Sequence, residues 1–192
     1  MLLNPLRTKP HLVTYKGLPS PGTLTVWEAV YRDELGWAGD INDSFINDSF
    51  QPSSVHILAY VDGNAAGTIR IAYPFESKLP AEQKTNQPTL LHGEVSKAEL
   101  TRVMVRKEFR KKVYPDYPEG LFHKLMQTAI SHCRNKEITL VAMDVRVPGS
   151  SNSIFNSAVA LGFRPTGITY PDPLGSDYPD CTTVILDTRS LA

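Results

Sequence analysis

The stretch Glu99–Asn135, ELTRVMVRKEFRKKVYPDYPEGLFHKLMQTAISHCRN, decides the fold. ELTRVMV is rich in β-branched and apolar residues and reads as a strand. RKEFRKKVYPDYPEG is charged and turn-rich and reads as a connection. GLFHKLMQTAISHCRN sets Leu121, Phe122, Leu125, Met126, Ala129, Ile130 and Cys133 on one apolar stripe at helical spacing. A strand that passes through a basic loop into an amphipathic helix belongs to an α/β domain.

Upstream, VHILAYVDGNAAGTIRIAYP reads as a hairpin turning at Asp62, Gly63 and Asn64. Before it, TLTVWEAVYRDELGW repeats Leu24, Trp27, Tyr31 and Leu35 at helical spacing. Thr25 with Glu28 forms a candidate capping box, and Gly36 supplies the stop. Residues 1–21 hold four prolines and read as an irregular N-terminal arm. NDSFINDSF is a short near-repeat, read as a loop with one helical turn. Residues 74–98 are polar, contain proline and show no period, which predicts a long loop. Downstream, ITLVAMDVRV is apolar enough for a central strand. SSNSIFNSAVALGF is a short helix ending at Gly162, and FRPTGITY and CTTVILDT are strands. Residues 1–192 thus read as a single domain, α/β, with a mixed central β-sheet flanked by helices.

Composition narrows the function classes. The chain has 192 residues, 41% hydrophobic and 21% charged, an ordinary soluble mixture large enough for a proper core. Twenty basic residues balance twenty acidic ones, so no global field attracts nucleic acid, and none is expected as a partner. Cys133 and Cys181 form no metal or redox spacing. His11, His56, His92, His123 and His132 fall into no ligand pattern, and no metal is expected. MLLNPLRTKPHLVTYKG lacks an apolar region of signal-peptide length, and no stretch is long enough to span a bilayer. The expectation is a cytoplasmic protein without stable membrane insertion. Its oligomeric state is unassigned.

The order of hairpin, VMV-type strand, basic loop leading to a helix, strand, and a helix closing with ALGF resembles the GCN5-related N-acetyltransferase (GNAT) superfamily over about residues 24–188. A narrower resemblance is to the acyl-homoserine-lactone synthases and N-acyl amino acid synthases. There an aromatic-rich first helix ends near a tryptophan, matched by VYRDELGW with Tyr31 and Trp37. The strand after the hairpin turn carries an arginine, matched by Arg70. The next core strand opens with Glu-x-x-Arg, matched by Glu99 and Arg102. Asp43 and Asp48 loosely match the acidic segment after the tryptophan.

The resemblance implies an N-acyltransferase whose donor is a coenzyme A thioester (acetyl-CoA or longer acyl-CoA) or a phosphopantetheine-linked acyl group on an acyl-carrier protein. A helix N-terminus with free N–H groups suits the pyrophosphate. The family's phosphate loop is matched in part: Arg110 stands at its first basic position, but KKVYPDYPEG replaces the tight glycine turn and leaves one glycine, Gly120, at the helix entrance. Arg106, Lys107, Arg110, Lys111 and Lys112 face one acid, Glu108, in sequence, so the loop also suits an acidic carrier protein. The implied donor contacts are Val103, Met104, Val105, Arg106, Arg110, Lys111, Lys112, Gly120, Leu121 and Asn152. The pantetheine arm is expected between the strand of Val103 and Val105 and ITLVAMDV. Met104, Phe122, Met126, Ala142 and Met143 suit an acyl chain as well as a core.

An amine attacking a thioester must lose a proton, which a carboxylate can accept. Glu99 is the leading base candidate because it opens the strand that leads to the donor loop; Glu94 and Asp144 are weaker ones. Asp144 would need a partner if buried, and Arg146 would share its strand face. Arg102 either grips a substrate carboxylate or carbonyl or bridges an acid such as Asp43 or Asp48. Tyr31, Trp37 and Arg70 are the candidate substrate contacts; Arg70 is either a carboxylate grip or a strand-edge surface residue. Strict alternation turns Arg102 to the face opposite Glu99, Thr101 and Val103, and only a bulge or twist would reunite them. Many GNAT acetyltransferases carry a leaving-group tyrosine four residues before the Gly-Phe pair; here Ala158 stands there. The leading reading is acyl transfer to an amino acid or similar small-molecule amine. The alternatives are acetylation of a small amine or protein N-terminus, and a non-catalytic acyl-donor-binding domain.

Overall fold

Asp62 and Gly63, with φ of 50° and 77°, close the hairpin as a two-residue turn. Positive φ at both central residues matches the right-handed twist of the flanking strands, and Asn64 already belongs to the second strand. The computed structural model describes residues 9–36, 46, 48–85, 96–146, 153–171 and 180–191. Around the hairpin lie β1 (His11–Lys16), α1 (Pro21–Trp27), β2 (Val55–Val61), β3 (Asn64–Ala72), α2 (Pro80–Thr85), β4 (Lys97–Val105), α3 (Gly120–Asn135), β5 (Leu140–Arg146), α4 (Ser153–Ala160), β6 (Arg164–Tyr170) and β7 (Cys181–Asp187). The strands form one mixed sheet in the order β1-β2-β3-β4-β5-β7-β6. Only β4 and β5 run parallel.

The α3 stripe is buried as its spacing predicts, from Leu121 to Cys133, with Phe122 packed at its margin. It covers one face of the sheet: Ile57 and Ala59 of β2, Ile69 and Ile71 of β3, Leu100 and Val105 of β4, Val141 and Met143 of β5. The other face meets α1 through Val26, Trp27, Leu58 and Met104. Burying these side chains supplies most of the driving force for folding, about 1.5–3 kcal/mol for each large apolar residue.

Three expectations change. The arm over residues 1–21 contains β1, an edge strand paired from His11↔Tyr60 to Lys16↔Val55. Its side chains are exposed or half-buried, so it carries no apolar alternation to read, and its prolines flank it. The first helix starts at Pro21 with Ser20 as its cap, and Ser20 Oγ accepts from Thr23 N at 3.3 Å. Proline fits the first turn, where its missing N–H costs nothing. Thr25 is therefore inside the helix, its hydroxyl donating to Pro21 O at 3.0 Å, and the Thr25–Glu28 capping box is not used. From Glu28 to Glu34 the helix widens to π geometry. The wider turn buries Val30 and leaves Leu35 37% exposed, against the 3.6-residue stripe. Gly36 ends it with φ 64°, as expected. Finally, the long loop of residues 74–98 contains α2, too short to show a period. Glu82 accepts from Leu79 N at 2.7 Å and pairs with Lys97 at 2.8 Å, which docks α2 on β4.

Gly67 lies where β3 passes between β4 and α3. A Cβ there would meet Met104 O at 2.9 Å and Leu125 Cδ1 and Val105 Cγ2 at 3.1 Å. The substitution Gly67→Ala is expected to lower stability by about 1–3 kcal/mol, as overpacking does. Urea unfolding monitored by circular dichroism measures it.

Candidate functional site

The register of β3 against β4 slips by one residue: Thr68 pairs with Met104, but Arg70 pairs with Thr101. One residue of β3, Ile69, thus faces two of β4, Arg102 and Val103, and β4 carries the extra one. Arg102 takes up the distortion with φ 51°, uncommon for a residue with a side chain. This bulge resets the alternation, so Glu99, Thr101, Arg102 and Met104 all address the α1 face.

On that face the guanidiniums of Arg70 and Arg102 converge on Asp48. Arg70 Nη1 donates to Asp48 Oδ2 at 2.6 Å and Arg102 Nη2 to the same oxygen at 2.9 Å. Arg70 is 4% exposed, a buried residue of an inner strand and no strand-edge surface residue. Its Nε donates to Thr101 Oγ1 and its Nη1 also to Gln51 Oε1, both at 2.8 Å. Arg102 lies 4.3 Å over the Trp27 ring. Burial first, then repulsion from Arg70, lowers the Arg102 pKa to about 10, so it remains charged at neutral pH. Tyr31, from the π-helical turn, is half-buried beside them, and burial raises its phenol pKa.

Glu99 is fully buried, paired in register with Ala72 on one side and Ala142 on the other. Its Oε2 accepts from Ala81 N of α2 at 2.8 Å, while Oε1 has no hydrogen-bond partner among the described residues. Burial, and after it the Asp144 carboxylate, lifts its pKa to about 8. Asp144 accepts from Thr183 Oγ1 at 2.9 Å and lies 3.4 Å from Lys84 Nζ of α2. Burial pulls the Lys84 pKa down, but Asp144 and Glu99 outweigh it and the net shift is upward.

Beside Glu99 the sheet opens. The β4–β5 ladder runs from Lys97↔Leu140 to Leu100↔Met143 and stops, although β4 continues to Val105 and β5 to Arg146. Backbone groups of Thr101–Val105 therefore have no partners on β5 and can meet an extended amide-bearing arm. In this respect the chain fits a pantetheine group. The basic loop fits the phosphates less well. Arg106 turns back to Ala65 O at 2.9 Å and pairs with Glu108; Arg110 donates to Val105 O at 2.7 Å and clasps Glu34. Lys112 sits 5.2 Å over the Phe109 ring, and Lys111, with φ 57°, is exposed. Thus the loop's arginines are engaged within the protein. A small turn, with Tyr114 and Tyr117 bridged, occupies the inserted residues. Gly120 enters α3 with φ 86°, a conformation that suits glycine.

The five residues suited to an acyl chain divide between faces. Met104 and Ala142 lie on the α1 side, whereas Met126, Met143 and Phe122 belong to the α3-side core. Ala158 is fully buried in that same core. Glu94, Asn152, Trp37 and Asp43 lie outside the described residues. Sequence reading missed Gln51, His56, Lys84 and Thr101 on the α1 face; polar residues inside apolar strands are the signal for His56 and Thr101. A polar hollow lined by Thr14, Lys124, Thr128 and His132 lies between β1 and α3, away from this chemistry. Among the described residues no helix is long and apolar enough to cross a membrane.

No family model matches the chain, and no curated protein matches it by sequence. Solved structures do. FeeM, an N-acyl amino acid synthase from uncultured soil microbes, aligns over 94% of this chain and 92% of its own, with 17% identity and a TM-score of 0.67. BjaI, a CoA-dependent acyl-homoserine lactone synthase solved with SAM and isopentyl-CoA, aligns over 95% and 85%, with 14% identity and a TM-score of 0.63. NAA60 of Arabidopsis thaliana, in complex with acetyl-CoA, aligns over 95% and 100%, with 13% identity and a TM-score of 0.62.

The Glu99 carboxyl sets a pH dependence of stability. Its pKa is about 8 when folded against an ordinary 4.5, so between these values the folded state holds the extra proton. Wild-type stability is expected to fall as pH rises through that window. The Glu99→Gln protein keeps an acceptor for Ala81 N and has nothing to ionise. Its melting temperature should match wild type near pH 4 and exceed it increasingly toward pH 8, as scanning calorimetry would read. Removing Asp48 leaves two inward guanidiniums facing each other, and Asp48→Ala is expected to cost about 3 kcal/mol, measurable by urea unfolding.

Proposed function

We propose that this chain, whose fold is the GNAT acyl-CoA N-acyltransferase fold, transfers an acyl group from a thioester to the amine of an amino acid or similar small molecule. One observation carries the reading: the open β4–β5 seam has the buried Glu99 carboxyl at its root, on the face where Arg70 and Arg102 converge. The donor is acyl-CoA or an acyl-carrier protein, with its pantetheine arm along the seam against Val103, Met104 and Val105. Lys111 and Lys112, exposed on the loop beside Val113, meet the donor's phosphates or an acidic carrier surface. Gly120 and Leu121, opening α3, offer backbone N–H groups to the same phosphates. Arg106 and Arg110 shape the loop through their internal bonds.

The acceptor lies on the α1 face, its amine toward Glu99 and its carboxylate toward Arg70, with Tyr31 beside it. Ionised Glu99 takes a proton from the amine as nitrogen bonds to the thioester carbonyl carbon. The tetrahedral species collapses, the C–S bond breaks, and the thiolate leaves with the electron pair. Buried Ala158 provides no phenol for it, so the thiolate recovers a proton from Glu99 or water. The products are an amide and a free thiol. Asp144 and Lys84 set the proton affinity of Glu99.

Calorimetric titration with coenzyme A, acetyl-CoA and lauroyl-CoA tests the donor. Affinity rising with chain length supports transfer of longer acyl groups and leads to a screen of amino acid acceptors. Equal affinity for both thioesters shifts the reading to acetyl transfer. Binding to none, together with no turnover of an acyl-carrier protein, overturns the reading. In turnover, kcat/KM should rise about tenfold per pH unit below the Glu99 pKa and level above about 8, because the base must be ionised. For Glu99→Gln, kcat should fall by about 10²–10⁴ and that rise should disappear.

A further inference from the structure

Behind Arg70 a chain of buried polar groups continues away from the seam. Gln51 is fully buried and its amide orientation is fixed at both ends. Its Oε1 faces Arg70 Nη1 at 2.8 Å, which can only donate, and its Nε2 faces Gly17 O at 3.0 Å, which can only accept. The second hydrogen of that amide nitrogen points to His56 Nε2 at 2.6 Å. His56 Nε2 therefore accepts, which makes the ring neutral with its proton on Nδ1, a buried atom with no hydrogen-bond partner among the described residues. The ring is fully buried, stacked on Tyr15 of β1 at 5.2 Å and tilted against Trp27 of α1 at 6.0 Å. Arg70 and Arg102 face it as positive charges and Asp48 as the opposing negative one. Burial first, then the two arginines, lowers its pKa to about 4, in keeping with a neutral ring.

We infer that Gln51 and His56 are positioning residues that lock the guanidinium of Arg70 for an acceptor carboxylate, a role that rests on the α1 face being the acceptor side. Thr101 takes the hydrogen on Nε, and Asp48 and Gln51 take the two on Nη1. Among the described residues the Nη2 hydrogens are left for a substrate. The Gly17 carbonyl, from the turn after β1, and the neutral imidazole hold the Gln51 amide against rotation. Rotation would turn its NH₂ group toward the guanidinium and set donor against donor. The edge strand β1 thus reaches the acceptor pocket through two intermediaries without touching substrate.

Long-range ¹H–¹⁵N NMR of the full-length protein tests this without turnover, so its failure is distinguishable from failure of the acyl-transfer reading. The expected wild-type signature is a neutral His56 protonated on Nδ1 between pH 6 and pH 8, about two pH units or more above its pKa of about 4. An Nε2-protonated or charged ring overturns the assignment. His56→Gln offers a carbonyl oxygen near the Nε2 position, whereas His56→Phe offers no acceptor. The Arg70 Nε–H should exchange slowly with solvent in wild type and His56→Gln, and at least about tenfold faster in His56→Phe, as loss of a buried hydrogen bond to a charged network predicts. Equal exchange in the two variants overturns the positioning role. Should His56→Phe fail to fold, the wild-type tautomer decides. In turnover, the His56→Phe defect should fall on the acceptor KM and leave the lauroyl-CoA dissociation constant unchanged.

Discussion

One surplus residue in β4 organises the α1 face. Without it, Glu99 and Arg102 would point to opposite sides of the sheet, since side chains alternate strictly along a regular strand. With it, Arg102 lies over Trp27 and shares Asp48 with Arg70, while Glu99 keeps its place two residues before Thr101. The distortion costs backbone energy, because Arg102 adopts a conformation better suited to glycine. The cation–π contact and the Asp48 bridge offset that cost and hold the residue there. The same point marks where β4 leaves β5, so the electrostatic cluster and the opening of the sheet share one origin.

Elements whose local signal agreed with their tertiary role were legible in the sequence. The hairpin of β2 and β3 has strong alternating strands and a turn that demands positive φ. The long helix α3 has an uninterrupted stripe, and both its ends fall where the pattern places them. β1 and α2 were illegible for opposite reasons. β1 exposes most of its side chains and is held by backbone pairing, to which sequence is nearly blind. α2 is held by Glu82, Lys97 and Glu99, contacts between distant residues that leave no periodic trace.

For the site, chemistry was easier to read than geometry. Glu99, Arg102 and Arg70 stand out because charged residues are costly inside apolar strands unless partnered. Asp48 was one of two acids proposed as that partner, and it is the one within the described residues. The bulge could not be read, because nothing in ELTRVMV marks where an extra residue is accommodated. The basic loop misled in part. Its cations look available in sequence, yet Arg106 and Arg110 bond to Ala65, Val105, Glu108 and Glu34, two of which, Ala65 on β3 and Glu34 at the end of the π-helical turn, are distant in sequence.

The short β4–β5 ladder also bears on the mechanics of the sheet. Four residue pairs join a four-stranded half, β1 to β4, to a three-stranded half, β5, β7 and β6. α3 packs against β2, β3 and β4 and reaches Val141 and Met143 of β5, where α4 also lies, so one helix bridges the two halves. Twisting and shearing of one half against the other bears on this short parallel ladder, where four pairs resist it. The two leaves thus meet along one short line, and that line runs past a buried carboxyl that faces both by register, Glu99 between Ala72 and Ala142.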